Sequence, residues 1–297
     1  MKAVVTGGAG FIGSNLVDEL VARGDEVVVV DDFSSGKRDH LNPAAELLEH
    51  DIREPFSVEA DVVFHLAAQA DVQTSMKRPA FDAAVNVVGT VNALQASPGA
   101  QVLFASSGGA GYGEVIEPAD EHAPFLPLSP YGIAKKCGEE YLAGWNRIHD
   151  ASHVALRFGN VYGPRQDAGL EGGVVAIFLE RMARGEDTVI FGDGRQSRDF
   201  VYVGDVVGAL LAAVGRGGGP YNVGTGEDTT IEQLHAACAA VAGSTAPARH
   251  EPARLGDVLR SALDASLIER ELGWRAQVPL DEGLRRTWAW MQEHAAA

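Results

Sequence analysis

The sequence predicts an α/β protein with a doubly wound parallel sheet and a smaller, mixed C-terminal domain. Short β-branched runs alternate with helical patterns through the first half of the chain. Glycines cluster between the first run and the first helical pattern, and the alternation weakens after Gly163. Strands that alternate with helices form a parallel sheet covered on both faces.

The first half provides the elements of the sheet. Strands are predicted at 2–6, 26–31, 60–67, 100–107 and within 153–163, with a shorter strand-like run at 45–50. Helices are predicted at about 11–23, at 81–96 and from about Ser129 onward. Each strand is rich in Val, Ile or Phe, as buried strands of parallel sheets are.

The second half is interrupted by glycine-rich turns such as 191–197 and 215–220. Helical patterns remain at about 174–184, 205–214, 230–242 and 281–293. We therefore predict two domains, 1–165 and 166–297, with a soft boundary that the chain is free to cross. The second domain is expected over the carboxyl edge of the sheet.

Bulk composition narrows the classes of function. The chain has 297 residues, of which 46% are hydrophobic and 22% charged, as in folded soluble proteins. No stretch reaches the ~18 apolar residues of a membrane span, and the N-terminus lacks the features of a secretory signal. The two cysteines, Cys137 and Cys238, are expected to be reduced. We expect a cytoplasmic protein, and its net charge of −17 argues against nonspecific nucleic-acid binding.

The run VVTGGAGFIGS (4–14) predicts a phosphate cradle. Gly7, Gly10 and Gly13 separate a strand from a helix, and Gly8 with the latter two also matches G-x-G-x-x-G. Such glycines permit a tight turn, a close approach to a pyrophosphate and close helix–strand packing. The anion would lie at the helix N-terminus, beside Phe11 and Ile12, where free N–H groups point at it. The pattern is typical of a Rossmann-type dinucleotide site.

An acidic residue at the end of the second strand indicates the cofactor. Asp31, followed by Asp32, lies 18 residues after Gly13. A carboxylate there accepts hydrogen bonds from the adenosine ribose and repels a 2′-phosphate. We therefore predict NAD, while the nearby Lys37 and Arg38 leave NADP open.

Later strand ends are expected to complete the cofactor site. Asp51 and Ile52 are placed to hold the edge and face of the adenine, and Ala67 and Ala68 are small enough to let the backbone approach the cofactor. His65 is read as a packed strand histidine. No metal site is predicted.

The run SPYGIAKKCGEEYL (129–142) places Tyr131 and Lys135 four residues apart on one helix. Residues i and i+4 of a helix are neighbours, about 5–6 Å apart at Cβ. An ammonium group near a phenol favours the phenolate and lowers the pKa of the tyrosine, which suits a general base.

Together these motifs resemble the extended short-chain dehydrogenase/reductases. Within that family the chain is most similar to nucleotide-sugar 4-epimerases of the UDP-glucose 4-epimerase type. The likeness covers nearly the whole chain and includes NVYGPRQ (160–166), FGDGRQSRDFVYVGDV (191–206), YNVGTG (221–226) and RLGD (254–257).

The resemblance implies a catalytic role for three residues. Tyr131 would take the proton of the sugar 4-hydroxyl, and Lys135 would bind the nicotinamide ribose and lower the pKa of the tyrosine. Ser107 would donate to the same sugar oxygen, with Ser106 as the second candidate. A retained NAD would accept a hydride from C4, and the resulting 4-keto sugar would turn over and be reduced on its other face.

The resemblance also implies substrate contacts and partners. Asn160, Arg198 and Arg254 would hold the pyrophosphate end of the nucleotide sugar, Asp257 the nucleoside ribose, and Ser261 would border the C2 substituent. Arginine suits phosphate because its planar group donates two hydrogen bonds at once. Family members pair two helices per subunit into homodimers; here these would be about 81–96 and 130–147.

Several alternatives to a UDP-glucose/UDP-galactose substrate stay open. They are dTDP-sugars, UDP-N-acetylglucosamine and UDP-glucuronate. A nucleotide-sugar 4,6-dehydratase would carry an Asp-Glu pair where this chain has Gly108 and Gly109. A non-catalytic NAD-binding regulator would be expected to lack the Tyr131–Lys135 pair, which this chain has.

Overall fold

The core of the protein is a seven-stranded parallel sheet. The structure, a computed structural model, describes residues 1–169, 173–253 and 258–294. The strands of the sheet are β1 (Lys2–Thr6), β2 (Glu26–Asp31), β3 (Glu46–Glu49), β4 (Val62–His65), β5 (Gln101–Ser107), β6 (Val154–Phe158) and β11 (Pro220–Val223).

The strand order is β11-β6-β5-β4-β1-β2-β3, and every neighbouring pair is parallel. The direction of winding reverses between β1 and β4. In doubly wound sheets, ligands bind outside the carboxyl ends of the strands at this switch point. The predicted Rossmann-type fold class is confirmed.

Some helices cover the two faces of the sheet, and others pack together in the second half of the chain. In chain order they are α1 (Phe11–Ala22), α2 (Val72–Lys77), α3 (Pro79–Ala83), α4 (Gly89–Ala96), α5 (Gly108–Gly111), α6 (Pro130–His149), α7 (Val174–Ala183), α8 (Val203–Ala212), α9 (Ile231–Ala242), α10 (Ser266–Leu272) and α11 (Leu280–His294). A 3₁₀ turn lies at Arg38–His40, and a π-helical segment at Ala84–Val88 joins α3 to α4.

Two apolar layers hold the helices against the sheet. One layer packs side chains of α1, α8 and α10 against β1, β4, β5 and β6, with Leu16, Phe64 and Leu156 fully buried. The other packs α4 and α6 on the opposite face. Gly138 of α6 lies so close to the sheet that a Cβ there would meet the Phe104 ring at 2.6 Å.

The second half adds short strands: β7 (Asn160–Tyr162), β8 (Val189–Phe191), β9 (Ser197–Arg198), β10 (Phe200–Tyr202), β12 (Thr229–Thr230), β13 (Arg249–Glu251) and β14 (Arg260–Ser261). They form the pairs β10–β7 and β13–β8 and the three-stranded sheet β12-β9-β14. A third apolar cluster joins α7, α9 and α11. β11 returns to the main sheet beside β6, so residues on both sides of position 165 build that sheet.

Two predicted elements differ from the structure in their limits. The helix predicted at 81–96 is preceded by α2 and α3 and contains the π-helical segment. The strand predicted within 153–163 divides at Gly159, where a Cβ would lie 2.9 Å from the Asp199 carbonyl oxygen. The chain leaves the main sheet there, and Asn160 donates its backbone N–H to that oxygen.

Candidate active site

A cavity of about 940 Å³ lies at the carboxyl ends of β1, β4 and β5. Both halves of the chain line it: Gly7 and Asp31 lie at one end, and Asn160 and Arg198 come from the second half. All thirteen predicted cofactor-contacting residues line it: Gly7, Gly10, Phe11, Ile12, Gly13, Asp31, Asp32, Asp51, Ile52, Ala67, Ala68, Tyr131 and Lys135.

The glycine cradle has no room for side chains. Gly7 adopts φ +72°, and a Cβ there would lie 2.7 Å from the Ala67 backbone nitrogen. A Cβ on Gly13 would lie only 2.0 Å from the Gly7 carbonyl oxygen, a distance that real Cβ atoms do not adopt. The first turn of α1 therefore packs directly on the β1–α1 turn.

The N-terminus of α1 is open to an anion. Gly10 is its N-cap, no hydrogen bond from a side chain caps it, and its first turn carries no acidic residue. Free N–H groups and the positive end of the helix dipole therefore face the cavity. This cradle fits the pyrophosphate of a dinucleotide.

Asp31 is held in place at the same end of the cavity as Gly7. Its carboxylate accepts backbone N–H groups from Ala9 at 2.9 Å and from Phe33 at 2.9 Å. Burial raises the pKa of Asp31 above its usual value. Since a carboxylate has about four acceptor positions, the side chain can still accept from a ribose. The neighbouring Asp32 accepts from Ser34 instead.

The cations near this end are held by carboxylates. Lys37 pairs with Asp167 at 2.5 Å, and Arg38 pairs with Glu49 at 2.5 Å. Lys37 and Arg38 were the reason to keep NADP as an alternative cofactor. Because both already pair with carboxylates, the site fits NAD better than NADP.

Asp51, predicted to hold the edge of the adenine, already has a partner within the protein. Its carboxylate is engaged by the Arg53 guanidinium, which lowers the pKa of Asp51. Ile52 is buried, and Asn92 donates to its carbonyl oxygen at 2.8 Å.

His65 is a packed histidine, as predicted. Its ring lies between the hydroxyls of Thr6 at 2.8 Å and Thr90 at 3.1 Å. Burial, together with the charge of Lys135, lowers the pKa of His65 to about 3. The ring is therefore neutral, and it braces the strand end that leads to Ala67.

Tyr131 and Lys135 lie on the first turns of α6, which begins with Pro130 after the N-cap Ser129. The Lys135 Nζ lies 5.7 Å from the centre of the Tyr131 ring and donates to the Ala105 carbonyl oxygen at 2.8 Å. Burial lowers the pKa of Lys135 to about 8. The pair thus combines a phenol and a cation at the cavity wall.

The two strand-end serines have different partners. The Ser106 hydroxyl donates to the Glu139 carboxylate at 2.5 Å. The Ser107 hydroxyl accepts the N–H of Ala110 at 3.2 Å as the N-cap of α5. A hydroxyl has only one hydrogen to donate, and that of Ser106 is already used. The arrangement supports Ser107 as the donor to a ligand.

A buried ion pair lies behind the serines. The Arg157 guanidinium binds both oxygens of Glu139, the shortest contact being 2.6 Å. It also donates to the Tyr112 hydroxyl at 2.7 Å, which in turn donates to Asn222 at 2.7 Å. The network ties both ends of the segment 106–112 to the sheet and to α6.

Asn160, Gly109 and Ser261 lie close to one another, and the first two line the cavity. A Cβ on Gly109 would lie 3.3 Å from the Asn160 Oδ1 and 3.9 Å from the Ser261 Oγ. Arg198 lines the cavity and is paired in register with Ser261. The predicted ligands Arg254 and Asp257 lie outside the described residues.

The sequence reasoning missed several residues of the cavity wall. They include Gln69, Val85, Gln166, Phe178, Gln196 and Val258. Gln69 follows Ala67 and Ala68 after the end of β4, and a polar side chain at that position could have been predicted to face the cavity. The others come from loops and helices that only the tertiary fold brings to the cavity.

Within the described part of the chain, no helix combines the length and the apolarity that crossing a bilayer requires.

The chain is similar to known proteins over nearly its whole length. Residues 3–224 match the model of the NAD dependent epimerase/dehydratase family. A UDP-glucose 4-epimerase from Mycolicibacterium smegmatis is 45% identical over 97% of both chains. A Thermotoga maritima UDP-glucose 4-epimerase structure with UDP-glucose has a TM-score of 0.95 and 43% identity, covering 99% of this chain and 100% of that one. A Thermus thermophilus UDP-glucose 4-epimerase complex with NAD has a TM-score of 0.92 and 40% identity, with the same coverage.

Proposed function

This chain belongs to the NAD dependent epimerase/dehydratase family, and we propose that it is an NAD-dependent UDP-glucose 4-epimerase. The reaction would interconvert UDP-glucose and UDP-galactose by inverting the configuration at C4 of the sugar. One observation carries the proposal: Tyr131 and Lys135 line the same cavity as the glycine cradle and Asp31. A base, a cation and a dinucleotide cradle therefore share one cavity.

The residues of the chain divide the work of binding NAD. The cradle of Gly7, Gly10 and Gly13 receives the pyrophosphate, Asp31 accepts from the adenosine ribose, and Lys135 donates to the nicotinamide ribose. When bound, NAD supplies the hydride acceptor for oxidation at C4 and the hydride donor for reduction. Everything else in the reaction is orientation and proton transfer by the protein.

Tyr131 takes the proton of the sugar 4-hydroxyl as C4 is oxidised, and returns it when the 4-keto sugar is reduced on its other face. The charge of Lys135 favours the phenolate form, since an opposite charge nearby lowers the pKa of a phenol. Ser107 donates to the same oxygen. Asn160 and Arg198 hold the nucleotide end, which leaves the sugar free to turn.

The alternatives to this substrate are dTDP-sugars, UDP-N-acetylglucosamine and UDP-glucuronate. A 4,6-dehydratase is disfavoured because Gly108 and Gly109 supply no proton-transferring side chain. A side chain at Gly108 would also displace Leu263, since a Cβ there would lie 2.6 Å from the Leu263 Cδ2.

The direct test is incubation of purified protein with a panel of UDP- and dTDP-sugars, without added cofactor. We expect UDP-glucose and UDP-galactose to interconvert, as detected by product chromatography. A 4-keto-6-deoxy product would identify a dehydratase, turnover of another sugar would reassign the substrate, and no turnover at all would contradict the proposal.

The two serines offer a matched pair of variants. Ser107→Ala removes a donor to the reacting oxygen and should lower turnover by about 10²-fold. Ser106→Ala removes only the bond to Glu139 and should lower turnover less. Steady-state kinetics on both variants measure the difference; the opposite order would transfer the role to Ser106.

We also propose a homodimer, in the cytoplasm, formed through two helical segments of each subunit: about 81–96, which comprises α3, the π-helical segment and α4, and about 130–147 of α6. Support for the surface comes from exposed apolar side chains, namely Val88 (48% exposed), Ile133 (52%) and Ile148 (73%). Sedimentation velocity should give twice the mass of one chain. A monomer at micromolar concentration would contradict the dimer and leave the proposed reaction untouched.

A further inference from the structure

The carboxylate of Asp82 lies behind the cavity wall, on a helix that packs against the helix of Tyr131 and Lys135. Asp82 of α3 is only 1% exposed. Its Oδ1 accepts from the amide groups of Gln69 at 2.8 Å and Asn86 at 3.0 Å. Its Oδ2 is buried and has no hydrogen-bond partner. A buried carboxylate held by two neutral amides is costly unless a positive charge lies nearby.

Lys135 of α6 supplies a positive charge to Asp82 across the contact between α3 and α6, at longer range than a direct ion pair. The side chain is 3% exposed, α3 packs against α6, and the Lys135 ammonium and the Asp82 carboxylate each stabilise the charged form of the other. Of the three N–H groups of Lys135, one donates to the Ala105 carbonyl oxygen. Burial itself works against both charges, raising the pKa of Asp82 and lowering the pKa of Lys135 to about 8.

The other groups facing Lys135 do not replace Asp82. Glu139, one turn further along α6, also favours the charged form of Lys135, but both of its carboxylate oxygens are bonded to Arg157. His65 of β4 is neutral. Tyr131, on the same helix, is the group whose pKa Lys135 is proposed to lower. Among the described residues, Asp82 is therefore the carboxylate that stabilises the charge of Lys135 without being paired to another cation.

We propose that Asp82 is a positioning residue of the reaction, acting through Lys135 as the buried counter-charge that keeps the ammonium group protonated. The role rests on the proposed function, since it matters only where Lys135 assists Tyr131. A bound nucleotide sugar and cofactor remove water from the cavity, and Lys135 then depends on this carboxylate for its charge. Gln69 and Asn86 hold the carboxylate in place, and Gln69 also forms part of the cavity wall.

Asp82→Asn tests this with little change in shape. The amide oxygen retains the bonds from Gln69 and Asn86, while the negative charge is lost. Without it the neutral amine of Lys135 is favoured, so the alkaline limb of kcat against pH should move to lower pH by about one unit. At about pH 9 turnover should then fall about tenfold, with a smaller loss at about pH 7. Glu140→Gln, which removes an exposed charge next to Glu139, should leave the limb in place.

A direct titration provides a readout independent of activity. The sequence has five lysines, so ¹³Cε-labelled lysine gives one NMR signal for each, and Lys135→Met identifies the one of interest. We expect the Lys135 signal to titrate at lower pH in Asp82→Asn than in the wild-type protein. If that variant does not fold, Asp82→Ser removes the same charge in a smaller side chain.

The outcomes separate this inference from the proposed function. An unchanged alkaline limb with an unchanged Lys135 titration would overturn the role of Asp82. A uniform loss of kcat at all pH values, without movement of either titration, would indicate a structural role and overturn it as well. A wild-type protein that turns over no nucleotide sugar would contradict the proposed function, while the NMR titration would still test the charge coupling.

Discussion

Tyr131→Phe should abolish most of the turnover while leaving cofactor binding intact. The substitution removes only the hydroxyl that we propose takes the proton of the sugar 4-hydroxyl, so kcat should fall by about 10²–10⁴-fold, the usual contribution of a general base. The cradle at Gly7, Gly10 and Gly13 and the Lys135 side chain are unchanged. The NAD content of the purified variant, measured after denaturation, should therefore equal that of the wild type.

The control is Tyr141→Phe, on the same helix but 43% exposed, which should retain wild-type turnover. Full activity of Tyr131→Phe would refute its role as the base. A variant that had lost its NAD would instead indicate that Tyr131 acts in binding.

Arg157→Met should give the largest loss of stability. It leaves the Glu139 carboxylate buried without its partner and removes the donor to the Tyr112 hydroxyl. Breaking a buried ion pair on one side costs about 3–5 kcal/mol of the free energy of unfolding, measurable by urea denaturation. It should also loosen the segment that carries Ser107.

Two comparisons check the explanation. The double variant Glu139→Gln/Arg157→Met should recover part of the stability, because no unpaired charge remains. Arg184→Met breaks the exposed ion pair with Glu180 of α7. This variant should barely change the urea concentration at the midpoint of unfolding, since surface ion pairs contribute little to stability. A single variant Arg157→Met as stable as the wild type would mean that water replaces the guanidinium.

Most of the predictions that agree with the lining of the cavity rest on residues close in sequence. The glycines of 7–13, Asp31 at a strand end and the i, i+4 spacing of Tyr131 and Lys135 each reflect local geometry, which a short segment determines alone. Predictions that depend on how side chains pair are less complete. Asp51 is predicted at the adenine edge, but its pairing with Arg53, only two residues away, was not predicted. The pairing of Ser106 with Glu139 joins β5 to α6 across 33 positions.

The sequence by itself determined the sheet, the cradle and the chemical types of the proposed catalytic residues, because strand periodicity, turn glycines and helical spacing act over a few residues. Only the tertiary structure decided which charges face one another. Asp82 and Lys135 come from separate helices, and Asn160, Gly109 and Ser261 meet from three separate segments. Burial and the electrostatic field around a side chain are properties of the packed molecule, and these set whether a lysine beside a tyrosine stays charged.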